Sequence, residues 1–389
     1  MLGNEAFHYL DNAATTQVDP KVADAIYKTM LENWANPSSL YTPGQDSKLL
    51  LERARSAVAR SMGAEAGQVF FTGCGSESNN IALLGAVAAK RNRGNRIVVS
   101  GYEHPSVALP LARLAEQGFD VVVVNPGPDG RIDPEEFASH VDKNTILCAC
   151  MQVNNETGAQ VDVSKLAGLC KQRNPQVACH ADGVQAWMRV PTVLDNLDSY
   201  SVSGHKIHAP KGVGALYLRR GYNIQPPYLG GGQEKGHGGG QDGGVRPGTE
   251  NLPYAVGLAT AASIMWRNRK ERCAHVHALN QRLRAGLAQM PGILINSPDD
   301  AVDEVLSLST MAVKSETMLH FLETKNIYIS SGSACSKGAA SGTMAAMGMS
   351  GKRTDTMLRV SFCGNNTEED VDALLAGLTE GLENLAKLR

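Results

Sequence analysis

Three stretches of this chain end in residues able to do chemistry. Lys206 closes Ser203-Gly204-His205-Lys206, Asp182 closes His180-Ala181-Asp182, and Thr72-Gly73-Cys74-Gly75-Ser76 leads into an alanine- and leucine-rich run. Each follows a short apolar or β-branched stretch, which places it at a sheet rim if those stretches are strands. A glycine-rich turn onto a helix N-terminus offers backbone N–H groups to a phosphate, with the Ser76 hydroxyl as a further donor. Taken singly, none is specific: the glycines serve a plain tight turn, Asp182 reads as a cap, and Lys206 as a solvated charge. Together they supply the amine, the carboxylate and the phosphate donors that a pyridoxal 5'-phosphate site requires. The run from Gly73 and Gly75 has Ser78 where the dinucleotide fingerprint G-x-G-x-x-G wants its third glycine, which speaks against a nicotinamide cofactor.

The elements that must position these residues are legible as alternating patterns. From Asp19 to about Leu218, β-branched runs alternate with helix-like segments, predicting an α/β fold with a mostly parallel sheet. Strands are expected at Val69–Phe71, Ile97–Val99, Val121–Val124, Ile146–Cys150, Val177–His180 and Ser199–Ser203. Ligands of open α/β sheets lie beyond the carboxyl ends of the strands, where the motifs fall. Asp19-Pro20 predicts a capped helix start with Val22, Ala23, Ile26 and Met30 as its apolar face. After Gly221 come a glycine-rich stretch, a long helical pattern from about Leu252 to Met290, and short strands and helices that predict a second, smaller domain.

Composition narrows the classes of function. The chain has 389 residues, 42% of them hydrophobic, enough for a sizeable core in two or three domains. A formal net charge of -2 gives no broad field for nucleic acid or acidic membranes, so a small-molecule substrate is expected and direct nucleic-acid binding is not. Met1 to Phe7 carries no leader-like pattern, and no stretch reaches roughly 18 uninterrupted apolar residues, so a cytoplasmic protein without a membrane partner is expected. The eight cysteines are scattered and form neither a disulfide nor a zinc framework.

The full order of motifs resembles the cysteine desulfurases of the NifS and IscS type, within the class V aminotransferases of fold type I. The resemblance runs from Tyr9 to about Leu375. It rests on Asp11-Asn12-Ala13-Ala14-Thr15-Thr16, Asn36-Pro37-Ser38-Ser39, the Thr72–Asn80 run, Glu103-His104, Asn154-Asn155-Glu156, His180-Ala181-Asp182, Ser203-Gly204-His205-Lys206, Arg246-Pro247-Gly248-Thr249 and Ser331-Gly332-Ser333-Ala334-Cys335. It implies a large cofactor-binding domain, 15–255, and a small α/β domain built from 1–14 and 256–389. It further implies that Lys206 is the Schiff-base lysine, Asp182 the partner of the pyridinium nitrogen and His104 the residue stacked on the ring. Asn155 and Gln185 would lie near the ring hydroxyl, and Gly75, Ser76, Ser203 and His205 would bind the phosphate. Thr249 would reach the phosphate of a neighbouring subunit, so a homodimer is implied. Arg359, with Asn36, would bind the substrate, and a bidentate guanidinium suits its carboxylate. Cys335 would take sulfur from L-cysteine as a persulfide and hand it to a protein acceptor, as in iron–sulfur cluster assembly or thiolation. Its glycine- and serine-rich surroundings, with no apolar face, fit a reactive thiol better than a core one.

Some positions depart from the pattern. Tyr41 stands where the family usually has histidine, Gly183 and Ala209 replace an alanine and a glycine, and Cys363 offers a second thiol four residues from Arg359. Residues 230–237 and 238–245 read G-G-G-Q-E-K-G-H and G-G-G-Q-D-G-G-V, a tandem octapeptide where the family carries one copy. Lengthening a flexible connection costs little, about 0.6 kcal/mol per doubling, so a neutral insert is expected. Selenocysteine lyase, another pyridoxal-phosphate reaction, or a non-enzymatic sulfur-transfer scaffold are the competing readings.

Overall fold

The computed structural model describes residues 7–234, 244–332 and 341–388. The chain opens with β1 (His8–Tyr9), α1 (Pro20–Glu32) and α2 (Thr42–Met62). Strands and helices then alternate through β2 (Val69–Thr72), α3 (Gly75–Lys90), β3 (Arg96–Ser100), α4 (Pro105–Glu116), β4 (Asp120–Val124), α5 (Pro134–Ser139), β5 (Thr145–Ala149) and α6 (Val163–Arg173). Three strands follow, β6 (Ala178–Asp182), β7 (Ser199–Ser203) and β8 (Gly214–Leu218). The rest runs α7 (Leu252–Arg267), α8 (Arg269–Leu287), β9 (Leu294–Ile295), β10 (Val305–Ser309), α9 (Ser315–Glu323) and β11 (Ile327–Tyr328). It ends with α10 (Gly342–Ala346), α11 (Lys352–Asp355), β12 (Met357–Ser361) and α12 (Glu368–Asn384).

Every strand expected from the sequence is present, and with β8 they form a seven-stranded sheet in the order β2-β8-β7-β6-β5-β3-β4. The ladders β4-β3-β5-β6-β7 are parallel, whereas β8 is antiparallel to both neighbours. Strands β5 to β8 are buried at every position, as expected where helices cover both faces. Two of them break the apolar rule. His180 and Asp182 on β6, and Ser199, Ser201 and Ser203 on β7, are buried polar residues, and burial of polar groups is tolerable only with hydrogen-bond partners. The partners of His180, Asp182 and Ser199 form the site described below, whereas the hydroxyls of Ser201 and Ser203 have none among the described residues.

The C-terminal part has its own sheet, β12-β10-β9, all antiparallel, and the pair β1-β11 is parallel. Leu10, from the N-terminus, is buried in one cluster with Val276, Leu308, Leu358 and Leu374. The helical pattern expected from Leu252 to Met290 divides at Asn268 into two helices. Helix α7 stays with the large body, since Leu252, Leu258 and Met265 share a core with Val22 and Leu51. Close approach fixes its register: a Cβ on Gly257 would sit 2.7 Å from Ile26 Cδ1. Helix α8 turns away, burying Val276, Leu279 and Leu283 in the second core.

Helix α1 begins as expected, with the Asp19 side chain accepting from Lys21 N–H at 2.7 Å and Pro20 at the first position. Its apolar face differs from the expectation. Val22 and Thr29 are buried with Ile26 half-buried, while Ala23 and Met30 are exposed, because the buried stripe follows contact with α7.

Candidate active site

The site is a cleft with about 820 Å³ of empty space, part of it open to solvent, at the carboxyl ends of the parallel strands. It is lined by Gly75, Ser76, His104, Asn155, Asp182, Gln185, Ser203, His205, Lys206 and Arg359. These were all expected at the site from the sequence, and they arrive from six separate segments.

One end is a cradle. Helix α3 begins at Gly75 with Cys74 as its N-cap, so its first N–H groups have no intrahelical acceptor. A side chain on Gly75 would place its Cβ 2.6 Å from Val184 Cγ2, which keeps that backbone bare. Ser203 Oγ, buried beside it, has no partner among the described residues. Glu77 accepts from Gly73 N–H with one oxygen and from Arg246 Nε with the other, at 3.1 Å for the latter, bracing the turn from outside. The strand β7 then bends into a single 3₁₀ turn, Gly204–Lys206, which turns Lys206 inward. Its Nζ donates to the carbonyls of Ala13 and Ala14 at 2.6 and 2.8 Å. His205 is held below the ordinary imidazole range, at about 4, by burial and then by Lys206.

The floor is a hydrogen-bonded set. Alternation along β6 puts His180 and Asp182 on one side of the strand. Asp182 Oδ1 accepts from Val184 N–H at 2.9 Å and Oδ2 from Asn79 Nδ2 at 2.7 Å. Asn79 Nδ2 also donates to Ser106 Oγ at 2.8 Å, and Asn79 Oδ1 lies 3.0 Å from His180 Nε2. His180 Nδ1 is 2.9 Å from Ser199 Oγ, and burial alone pushes this imidazole down to about 3. His104, the N-cap of α4, accepts the Ser106 N–H (3.1 Å) at Nδ1, and the Ser106 hydroxyl lies 2.8 Å from the same nitrogen. Burial lowers the His104 pKa, with Asp182 opposing and Lys206 reinforcing the shift. Next to it, Glu103 accepts from Ser100 Oγ (2.5 Å) and Met151 N–H (2.6 Å) at Oε1, while Oε2 is shut from solvent without a partner among the described residues. Although the residue as a whole is partly exposed, burial of its carboxyl raises the pKa to about 8, with Asp182 adding to the effect.

The opposite wall comes from the second body. Arg359 on β12 is 1% exposed; Nη1 donates to Asn155 O at 2.9 Å and Nη2 to Asp11 Oδ1 at 2.7 Å. Its Nε has no partner among the described residues. Burial raises the Asp11 carboxyl above its usual range against the pull of Arg359. Gln185 Nε2 donates to Ala13 O at 2.9 Å, and its Oε1 accepts from Arg189. Backbone bonds join Ser330 and Arg359, and the Ser341 hydroxyl donates to Glu156 Oε2. A Cβ on Gly332 would lie 3.4 Å from that same oxygen, so Gly332 and Ser341 meet at one carboxyl group. Cys335, the expected nucleophile, lies between them and outside the described residues.

Asn36 and Thr249 are not brought into the cleft of their own chain. Asn36 is exposed and its Oδ1 caps Ser38 N–H at 2.9 Å; Thr249 is exposed and borders a neighbouring pocket with Gly73, Glu234 and Arg246. Cys363 is also absent from the cleft lining, and burial raises its thiol. Gly183 has a local reason: any Cβ there would run into the ring of Tyr200, whose hydroxyl donates to Gln152 Oε1 at 2.6 Å. Most of the tandem octapeptide, 235–243, lies outside the described residues. Its flanks are firm. Glu234 forms a buried ion pair with Arg55 at 2.5 Å and exchanges backbone bonds with Val245 and Arg246, and Val245 is fully buried. The sequence reading missed Asn79, Ser106 and the role of His180 and Glu103, although the i, i+2 placement of two polar residues on a buried strand was a signal for His180.

The class-V aminotransferase family model matches residues 8–374. A NifS/IcsS protein homolog of Lactobacillus delbrueckii subsp. bulgaricus is 36% identical, with 98% of each chain covered. The cysteine desulfurase IscS of Methanosarcina thermophila is 35% identical, covering 98% of this chain and 93% of the relative. Among solved structures, a NifS-like protein superposes with a TM-score of 0.90 at 32% identity, covering 98% of this chain and all of the other.

Proposed function

The chain belongs to the class-V aminotransferase family, and from that premise we propose that it is a cysteine desulfurase, a pyridoxal 5'-phosphate enzyme that takes sulfur from L-cysteine and leaves L-alanine. The observation that carries this is the convergence of Lys206, Asp182, His104 and Arg359 on one cleft. The residues fit the cofactor. Bare backbone at Gly75 and the unpartnered Ser203 hydroxyl suit a phosphate, and a buried carboxylate and an amine stand beyond them. When bound, the cofactor supplies an electron sink for the carbon that bears the amino group.

In this reading Lys206 is the amine that would hold the cofactor and the base that would move the Cα proton of cysteine. Asp182 would face the ring nitrogen, Gln185 and Asn155 the ring hydroxyl, and Gly75, Ser76, Ser203 and His205 would hold the phosphate. Arg359 binds the substrate carboxylate through guanidinium hydrogen bonds. His104 handles the proton at the reacting sulfur. The Cys335 thiolate attacks that sulfur: an S–S bond forms, the C–S bond breaks, and its electron pair stays with carbon, which is protonated to become alanine. The persulfide then passes to a protein acceptor, as in iron–sulfur assembly or thiolation.

A homodimer belongs to the same proposal. Tyr27, Met30, Leu31, Trp34, Leu40 and Tyr41 are 47–93% exposed along one stretch, and Asn36 lies among them. A patch of this kind marks a contact surface, and a partner there would give Asn36 and Thr249 the roles the single chain leaves open. The two-domain division, 15–255 against 1–14 with 256–389, is proposed with α7 added to the large domain on the strength of its shared core. A cytoplasmic setting is proposed from the described cysteines, seven free thiols suited to a reducing compartment. The test is stoichiometry. Protein given L-cysteine and dithiothreitol should form alanine and sulfide in equal amounts; alanine without sulfide, or pyruvate and ammonia, would refute a desulfurase.

A further inference from the structure

The floor of the cleft contains more order than its roles require. Asn79 is fully buried, and its amide must present its NH2 group to Asp182, because a carboxylate only accepts. That orientation leaves Asn79 Oδ1 facing His180 Nε2 at 3.0 Å, so His180 carries its proton on Nε2 and its Nδ1 accepts from the Ser199 hydroxyl. The second amide proton of Asn79 goes to Ser106 Oγ, which frees the Ser106 hydroxyl proton for His104 Nδ1. The backbone N–H of Ser106 donates to the same nitrogen. The side-chain bonds thus take their direction from the Asp182 end, the backbone N–H of Ser106 agrees with them at Nδ1, and the terminus is a neutral imidazole with its hydrogen on Nε2.

We propose that Asn79 is a positioning residue that joins Asp182 and His104 into one hydrogen-bonded unit, and that this unit holds His104 as the Nε2–H tautomer, able to give a proton to the reacting sulfur or carbon before it can accept one. This rests on the cysteine desulfurase reading for its kinetic consequence, not for the tautomer itself. One amide serves both the residue aimed at the ring nitrogen and, through Ser106, the histidine on the same floor, so a change at either is felt at the other. The charged groups acting on His104 are Asp182 and Lys206, of opposite effect, which leaves direction to the hydrogen bonds.

The test combines one structural and one energetic readout. In 15N-histidine-labelled protein near pH 7, with and without cofactor, His104 is expected to show its directly bonded hydrogen at Nε2. A hydrogen at Nδ1 overturns the proposal whatever the activity. In the holoenzyme, Ser106→Ala should lower kcat for cysteine about tenfold while leaving the pH titration of the visible cofactor band in place, because only the His104 arm is cut. Asn79→Ala should lower kcat and also move that titration, and Ser106→Ala added to it should lower kcat little further, since the two act as a unit. Ser106→Thr, which keeps the hydroxyl, should restore turnover. Additive losses, or an unmoved titration in Asn79→Ala, would show that the two ends are not coupled. Asn79→Asp keeps the volume if the alanine variant fails to fold. Its carboxyl against Asp182 should move the titration upward, and an unchanged titration would count against the unit.

Discussion

The two sides of the cleft are built on opposite plans. On the floor, Ser199, His180, Asn79, Asp182, Ser106 and His104 satisfy one another in a directed chain within strands and helix starts of the large sheet. On the wall, Arg359 leaves Nε without a partner among the described residues, and Gly332 and Ser341 both approach the carboxyl of Glu156. A satisfied buried network is rigid and specifies one geometry, whereas unsatisfied donors are what an incoming anion completes. The difference fits the proposed division of roles, with cofactor binding on the floor and substrate capture on the wall.

The largest effect is expected on the floor. Lys206→Ala should abolish the visible band of bound cofactor and lower cysteine turnover by about 10³-fold or more, as borohydride trapping and sulfide assay would record. A borohydride-stable link at another lysine would move the anchor. On the wall the effect should be smaller and fall on binding. Arg359→Lys loses the bidentate fork and should raise KM for cysteine about 10- to 100-fold with the visible band intact. A fall in kcat at unchanged KM would instead place Arg359 with the floor.

Glu103 sharpens the comparison through pH. Its carboxyl, raised to about 8 in the fold against about 4.5 unfolded, keeps a proton that the unfolded chain has lost, so between those values stability falls as pH rises. Glu103→Gln mimics the neutral form. Its thermal-denaturation midpoint should equal that of the parent near pH 4, gain on it progressively to about pH 8, and keep a constant lead above; a lead independent of pH would contradict the assignment. The smallest effect is expected at the insert. Because Glu234 and Val245 are both anchored, the excision that preserves the stem is 236–243, which leaves Glu234-Lys235-Gly244-Val245-Arg246. Turnover of free cysteine and dimer content should stay within about twofold, given the weak dependence of closure entropy on length. Loss of transfer to a protein acceptor alone would mark the insert as a docking element.

Part of the cleft was legible at strand ends, Asp182 closing β6 and Lys206 following β7, whereas His104, Asn155, Gln185 and Arg359 were expected only through the resemblance of the motifs. What could not be read is what links them. Asn79 is one polar residue within the Thr72–Asn80 run, and its importance appears only when α3 lays it against β6 and the start of α4. Ser106 is equally silent, since its part depends on a two-residue turn from His104. Strand β8 escaped because its antiparallel return interrupts the βαβ rhythm. Gly183 shows the reverse case, a departure from the family pattern that Tyr200 explains and that leaves the site residues in place.

In the proposed reaction the wall delivers a nucleophile to a cofactor held by the floor. The most direct measurement is to react the holoenzyme with L-cysteine without reductant, block free thiols, digest it and weigh the peptide containing Cys335. The account predicts that this peptide gains one sulfur atom in the parent protein, while Cys335→Ser retains the visible band and gains sulfur at no cysteine. Sulfur on Cys363, or full sulfide release from Cys335→Ser, would contradict it.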